Sequence, residues 1–154
     1  MGFYQFKRQI ELGTDINEIW KFISNPSNLK LITPDYMGFD ITSGDSPADI
    51  YEGLIISYLV APVAGIKTRW VTEITHVKPE EYFVDEQRVG PYRMWHHQHF
   101  VSRLKNGTLM TDIVSYQPPF GIIGSLANRL MISAKLEEIF DYRTRVLCDI
   151  FGTV

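Results

Sequence analysis

Between Met37 and Gln117 the chain sustains no helical period. Segments that alternate or run apolar follow one another there: Met37–Ser43, Ile50–Val60, Ile66–Val77, Tyr82–Val89, Arg93–Leu104 and Thr108–Gln117. Their separators, SGDSPAD, VAPVAG, KPEE, VGPY and LKNGTL, carry turn chemistry. Glycine, proline, asparagine and aspartate reverse a chain at low cost, so the pattern predicts six consecutive antiparallel strands. Asn106-Gly107 is the sharpest turn signal, since both residues tolerate positive φ. It predicts a two-residue hairpin that pairs Lys105 with Thr108.

The flanks complete the order. Phe3–Leu12 alternates and reads as a first strand. GTDINEIWKFISNP then supplies a helix, with Thr14 or Asp15 to cap it and Glu18 three residues beyond Asp15. Asn25-Pro26 stops it, and PSNLKLI reads as a second short helix. After Gly124 the chain reads as one helix of roughly 25 residues, with Ile132, Leu136, Ile139, Arg143, Val146, Leu147 and Ile150 along one side. The order strand, two short helices, six strands, long helix is an α+β arrangement. A seven-stranded antiparallel sheet must cover its apolar face. One long helix across a curved sheet covers that face without filling the space beneath, which leaves a cavity. With no repeat, linker or low-complexity run, residues 1–154 are expected to form a single ligand-binding domain.

Composition narrows the function classes. The net charge is −3, against the basic stripe that nucleic-acid binding requires. The single cysteine, Cys148, excludes an internal disulfide framework and a multi-cysteine metal site. No run reaches the ~18 apolar residues of a spanning helix. The start MGFYQFKRQIELGTD alternates, unlike a signal peptide, and lacks the serine or threonine of a myristoylation site. The expectation is a cytoplasmic protein with no membrane segment and no nucleic-acid partner.

The most concentrated chemistry is MWHHQHF at 94–100, which holds three of the four histidines. Alternation separates Trp95, His97 and His99 from Met94, His96, Gln98 and Phe100. Counting from the Asn106-Gly107 turn sets Val101 opposite Asp112, His99 opposite Val114 and His97 opposite Tyr116. On the Ile66–Val77 strand, Ile66, Thr68, Trp70, Thr72 and Ile74 form the inward set, and Phe83, Asp85 and Gln87 align with it. A two-residue turn at Gly90-Pro91 would join Asp85 to His96, whereas a three-residue loop, Gly90 to Tyr92, joins it to His97. The three-residue loop is adopted here, which leaves His96 outside. The expected cavity face then has aromatic walls at Trp70, Phe83, Trp95 and Tyr116. Its polar cluster is Asp85, Gln87, His97, His99 and Asp112.

That cluster admits several chemistries. It can be a self-satisfied buried network, a polar end that orients a ligand, or an acid/base set of His97, His99 and Asp112. His97 and His99 with Asp112 also have the residue types of a metal site. The reading adopted assigns no metal and no cofactor. No nucleophile motif or phosphate loop accompanies the histidines. Arg143 could pair with a cavity carboxylate. Tyr36–Phe39, Ala61–Gly65 and the PPFG at 118–121 could frame an entrance.

The element order resembles the START-like, helix-grip superfamily, also labelled SRPBCC. The stretches FVDEQRVGPYRMWHHQHF (83–100), GTLMTDIVSYQPPFG (107–121) and IFDYRTRVL (139–147) resemble its bacterial polyketide cyclase/dehydrase-like subgroup. The resemblance implies a ligand cavity under the last helix. It implies binding or transport of a small hydrophobic molecule, such as a lipid, an isoprenoid or an aromatic polyketide-like compound. Two alternatives stay open: a cyclase/dehydratase, and a protein-interaction module with a filled cavity.

Overall fold

The computed structural model describes residues 2–44, 47–61, 65–119 and 131–154. Seven strands form one antiparallel sheet: β1 (Tyr4–Leu12), β2 (Asp40–Ile41), β3 (Ile55–Val60), β4 (Thr68–Lys78), β5 (Tyr82–Val89), β6 (Met94–Leu104) and β7 (Gly107–Gln117). Their order is β1-β7-β6-β5-β4-β3-β2. The expected meander is thus present, and the first strand closes it by pairing with the last, Tyr4 opposite Tyr116 and Leu12 opposite Thr108. Alternation along β4 and β7 sends Trp70, Thr72 and Ile74, and Thr108, Met110, Asp112 and Val114, to the covered face.

Several boundaries and one register differ from the sequence expectation. The strand expected over Met37–Ser43 keeps only Asp40–Ile41, because Asp35–Met37 tightens into a 3-10 turn that ends at Gly38 with φ 55°. β3 starts at Ile55 because Gly53, at φ 88°, reverses the chain just before it. Ile66 precedes β4 and is 68% exposed, so it belongs to no wall. The β6–β7 turn is Lys105-Asn106, and Leu104 pairs with Gly107. Among the described non-glycine residues only Glu80 has positive φ, so this is not the expected type I′ turn. Gly107 serves a different purpose: a Cβ there would collide with the Leu12 backbone oxygen. The glycine lets β1 approach β7. The consequence is a shift of two residues, with Val101 opposite Met110, His99 opposite Asp112 and His97 opposite Val114. A two-residue shift preserves facing, so the expected faces survive it.

The covers follow from local signals. Helix α1 (Ile16–Ile23) begins where the Asp15 side chain accepts from the Asn17 amide, and it buries Ile16 and Ile19. The second short helix is a 3-10 segment, Pro26–Lys30, capped by Asn25 on the Ser27 amide. Helix α2 (Ser133–Phe151) crosses the sheet and buries Leu136, Phe140, Arg143 and Leu147. The remainder of the expected helix, 124–130, lies outside the described residues, as do Phe120 and Gly121 of the PPFG stretch and 62–64 of the Ala61–Gly65 loop. The apolar stripe differs at two places. Ile150 is 48% exposed, and Phe140 takes a core position, its ring 4.7 Å from that of Phe6. Arg8 of β1 reaches Glu137 and Asp141 on the outer face of α2. Leu147, 1% exposed, joins Ile10, Leu12, Val101 and Met110 in one cluster. No described helix is long and apolar enough to cross a membrane.

The turn assignment can be checked by two substitutions. Gly107→Ala forces a methyl against the Leu12 carbonyl and should cost about 2 kcal/mol, a fall of about 4–8 °C in Tm. Asn106→Ala, at a turn position without positive φ, should change stability by no more than ~0.5 kcal/mol. Thermal unfolding of both variants distinguishes the two turns, because an Asn106-Gly107 turn predicts a clear loss at Asn106.

Candidate functional site

Three adjacent strands bring the polar cluster together. Asp85 on β5 stands opposite His97 on β6, and Phe83 stands opposite His99. His99 in turn stands opposite Asp112 on β7. This is the alignment of the three-residue loop, and it leaves His96 opposite Glu86, where its Nδ1 lies 2.9 Å from the Glu86 carboxylate. The loop is held by Gln87. Its Nε2 donates to the Tyr92 carbonyl at 2.6 Å, and its Oε1 accepts from the Tyr92 amide at 3.2 Å. Gln87, expected on the cavity face, is therefore occupied in closing the hairpin and lines no cavity.

Beneath α2 the sheet walls a partly open cavity of about 180 Å³. Of the residues expected on the cavity face, Trp70, Phe83, Asp85, Trp95, His97 and His99 lie along the cavity. Asp112 and Tyr116 do not. Asp112 is 1% exposed and lies behind the two imidazoles, while Tyr116 packs behind Trp95 and Tyr92. Of the Tyr36–Phe39 stretch expected at an entrance, Met37 and Phe39 line the cavity, and three further wall residues, Tyr58, Tyr92 and Phe140, escaped the sequence reading. Phe140 had a usable signal, four residues after Leu136 on the covered side of the helix. The sequence pattern places Tyr92 only in the hairpin loop. Its ring nevertheless stands 5.7 Å from Trp70 and 4.9 Å from Trp95. Two polar groups sit among the aromatic walls: Thr72 Oγ1 accepts from Trp70 Nε1 at 3.1 Å and meets Tyr58 Oη at 3.3 Å. Burial, with the nearby Asp85 charge, pushes the Tyr58 phenol well above its ordinary pKa, so it stays neutral.

The histidines sit between two carboxylates. His97 Nε2 is 2.7 Å from Asp112 Oδ1, and His99 Nδ1 is 3.1 Å from the same oxygen. His99 Nε2 is 2.7 Å from Asp85 Oδ2, while His97 Nδ1 stands off at 3.6 Å. An ionised carboxylate only accepts, so His97 Nε2–H donates to Asp112 and His99 Nε2–H to Asp85. With a carboxylate oxygen at each ring nitrogen, His99 is held as the imidazolium. Burial lowers its pKa, but the bonds to Asp112 and Asp85 outweigh that and raise it. For His97, burial and the neighbouring His99 charge prevail, and its pKa is lowered. Burial also pushes both carboxyls up. The histidine hydrogen bonds and charges reverse this, leaving Asp85 below and Asp112 far below the usual range. Arg143 leans in from α2, its Nη1 3.9 Å from Asp112 Oδ1 and its guanidinium 4.7 Å above the Phe140 ring.

One group of atoms has the composition of a metal site. Oxygen or nitrogen atoms of Asp85, His97 and His99 lie within 4.8 Å of one another. Two histidines and a carboxylate suit several divalent ions. His99, however, has no lone pair to offer while each nitrogen faces a carboxylate. A metal would have to displace its proton and the Asp85 bond.

The protonation pattern has a direct check. Histidine-selective ¹⁵N NMR should show two separated titrations in the pair, His99 above the ordinary value near 6.5 and His97 below it. The signs follow by linkage. His99's contribution to stability is complete below about 6.5 and is lost as pH rises through its raised pKa. That of His97 is present above about 6.5 and is lost as pH falls toward its lowered pKa. A shared midpoint would contradict the arrangement. Asp112→Asn leaves buried cations without their acceptor and should cost about 3 kcal/mol in denaturant unfolding.

A search of curated proteins returned no match. Among solved structures, protein CV1439 from Chromobacterium violaceum is similar over 97% of this chain and 98% of its own, with TM-score 0.72 and 12% identity. TTHA0849 from Thermus thermophilus is similar over 95% of this chain and 94% of its own, with TM-score 0.65 and 16% identity. Ara h 8.0201 is similar over 96% and 99%, with TM-score 0.64 and 9% identity. At these identities the likeness concerns the fold, which is the helix-grip arrangement of a curved seven-stranded sheet under a C-terminal helix. A family model described as "Polyketide cyclase / dehydrase and lipid transport" matches residues 12–138, and the chain belongs to that family.

Proposed function

We propose that the protein binds a small hydrophobic molecule in the cavity beneath α2, as a carrier or receptor of that molecule. The observation that carries this reading is the contrast within one cavity of about 180 Å³. Its walls are mostly aromatic and aliphatic, and apart from Lys135, which is paired with Glu138, its carboxylate and basic groups stand together as Asp85, His97, His99 and Arg143. Apolar walls remove a ligand from water, and a few convergent polar groups set its orientation. A cavity of about 150 Å³ lined by apolar side chains is already large enough to take up benzene. A protein-interaction module with a filled interior fits less well, because here the side chains leave the space between them. The family's description, cyclase/dehydrase and lipid transport, accommodates the reading without choosing a ligand. Residence in the cytoplasm belongs to the same proposal and rests on the sequence character alone.

A second reading has one observation in its favour. His97 lines the cavity, is neutral, and is oriented by Asp112 through Nε2. A neutral histidine held by a buried carboxylate has the form of a general base, with Nδ1 as the accepting atom. His99, held as the imidazolium, would be the proton-donating partner in a cyclase or dehydratase. Asp112 would position both and touch no substrate.

Titration with an apolar fluorescent probe tests the leading reading. Binding is expected at micromolar affinity and one probe per chain. Leu29→Trp, at a half-buried position on the cavity wall, should fill the space and weaken the probe at least about tenfold, a difference of ~1.4 kcal/mol. His96→Ala, on the other face of β6, should leave affinity within about twofold, under ~0.5 kcal/mol. A probe that ignored Leu29→Trp would be bound elsewhere, and the cavity reading would fail.

A further inference from the structure

Asp85 uses one of its two carboxylate oxygens. Oδ2 takes the His99 Nε2–H, while Oδ1 has no hydrogen bond among the described residues. His97 is in a similar position. Its Nε2 is engaged by Asp112, and its Nδ1 stands 3.6 Å from Asp85 Oδ2, an acceptor like itself. Neither free atom is sealed off. Among the described residues, the one fully covered side-chain polar atom without a partner is Arg143 Nε. Asp85 Oδ1 and His97 Nδ1 therefore keep accessible surface, the Asp85 side chain is 15% exposed, and both residues line the cavity. Two acceptors without a donor thus face the space a ligand would occupy. We propose that the cavity selects an uncharged, hydroxyl-bearing apolar molecule, a phenol or an alcohol, whose O–H donates to Asp85 Oδ1.

The inference rests on the ligand-binding reading and deepens it by choosing the head group. The groups that face this end are Asp85 from β5, His97 and His99 from β6, Asp112 from β7 behind them, Tyr58 from β3 and Arg143 from α2. The two carboxylates are balanced by the His99 imidazolium and the Arg143 guanidinium, with His97 and Tyr58 neutral. Tyr58 does not supply the missing hydrogen to Asp85, because its Oη is paired with Thr72 Oγ1 at 3.3 Å. An ammonium could donate to Asp85, but it would leave one buried charge unbalanced. A ligand carboxylate would set a third anion beside Asp85. A ketone or an ether has no hydrogen to give, and its oxygen would meet the Asp85 oxygen and the His97 lone pair. A hydroxyl gives its hydrogen to the carboxylate and adds no charge. Its oxygen can still accept, which suits the guanidinium on the same wall.

A naphthalene series isolates the donated hydrogen: 2-naphthol, its methyl ether, 2-methylnaphthalene, 2-naphthoate and the cationic 2-(aminomethyl)naphthalene. Isothermal titration at pH 7 should find 2-naphthol bound at least about tenfold more tightly than the methyl ether or either charged compound, the size of a hydrogen bond to a charged group. Asp85→Asn keeps an oxygen for His99 and offers the ligand an amide N–H in place of an acceptor. It should lower the ratio of naphthol to methylnaphthalene affinity at least about tenfold. Should that variant fail to fold, the wild-type series and absorption spectroscopy still decide. Donation to a carboxylate moves the long-wavelength band of a phenol to the red. The band of bound 2-naphthol should therefore shift further from its position in an alkane than that of the bound methyl ether. Equal binding of 2-naphthol and its methyl ether, equal band shifts, an unchanged ratio in Asp85→Asn, or tightest binding of either charged compound would overturn the head-group inference alone. If no member of the series bound, the cavity reading itself would fall and take the inference with it.

Discussion

The Asp112 carboxylate, 1% exposed on the innermost side of the site, is the constraint around which the rest is arranged. A charge so placed is tolerable only with partners of opposite sign and good geometry. It has two such partners, His99 from the neighbouring strand and Arg143 from the helix above, and it also accepts a hydrogen bond from neutral His97. Through these contacts one carboxylate sets the orientation of both imidazoles, favours the charge on His99, and draws the guanidinium inward. Asp85 then completes the set from the far side of β6, taking the His99 Nε2–H. The polar end of the cavity is thus a charge-balanced assembly whose members come from three strands and a helix.

The fold supplies the space in front of that assembly. The sheet bends where β4 and β5 shift register, between Val71 and Thr72 and between Ile74 and His76. Such bulges increase local twist and help the sheet curve around the cavity. Helix α2 is anchored at its C-terminal half by Leu147 in the cluster with Ile10, Leu12, Val101 and Met110. The end of the chain is tied beside β1 through the Gly13 amide to the Gly152 carbonyl and the Leu12–Thr153 bridge. Earlier in the helix, Leu136 and Phe140 pack on Phe6 and Val114, next to the imidazoles. The helix therefore closes one side of the cavity and holds Arg143 against Asp112 at its wall.

Much of this was legible in the sequence for a simple reason: strand facing has a period of two. The turn between β6 and β7 falls one residue earlier than Asn106-Gly107 suggests, and the pairing moves by two. Even so, His97, His99 and Asp112 stay on the covered face. The site was robust to that error, whereas a one-residue error at the Gly90–Arg93 loop would have exchanged His97 for His96. What was not legible depends on contacts that no local pattern encodes. Gly107 looked like a turn glycine, and only the approach of Leu12 from β1 shows why it must lack a side chain. Gln87 had the right facing for the cavity, but its amide is taken by the Tyr92 backbone. Arg143 was legible as a residue of the covered helix side that could meet a cavity carboxylate, and it stands 3.9 Å from Asp112, whereas the Tyr58 and Tyr92 walls depend on how separate strands and loops converge.

The central claim is that this balanced polar end and its apolar walls exist to hold a small molecule. Native mass spectrometry of freshly purified protein, without extraction by organic solvent, tests it most directly. The account predicts a one-to-one complex with an apolar compound, released when the chain is unfolded and displaced by an excess of the apolar fluorescent probe. A chain that appears only at its bare mass, and stays so after exposure to that probe, would contradict it.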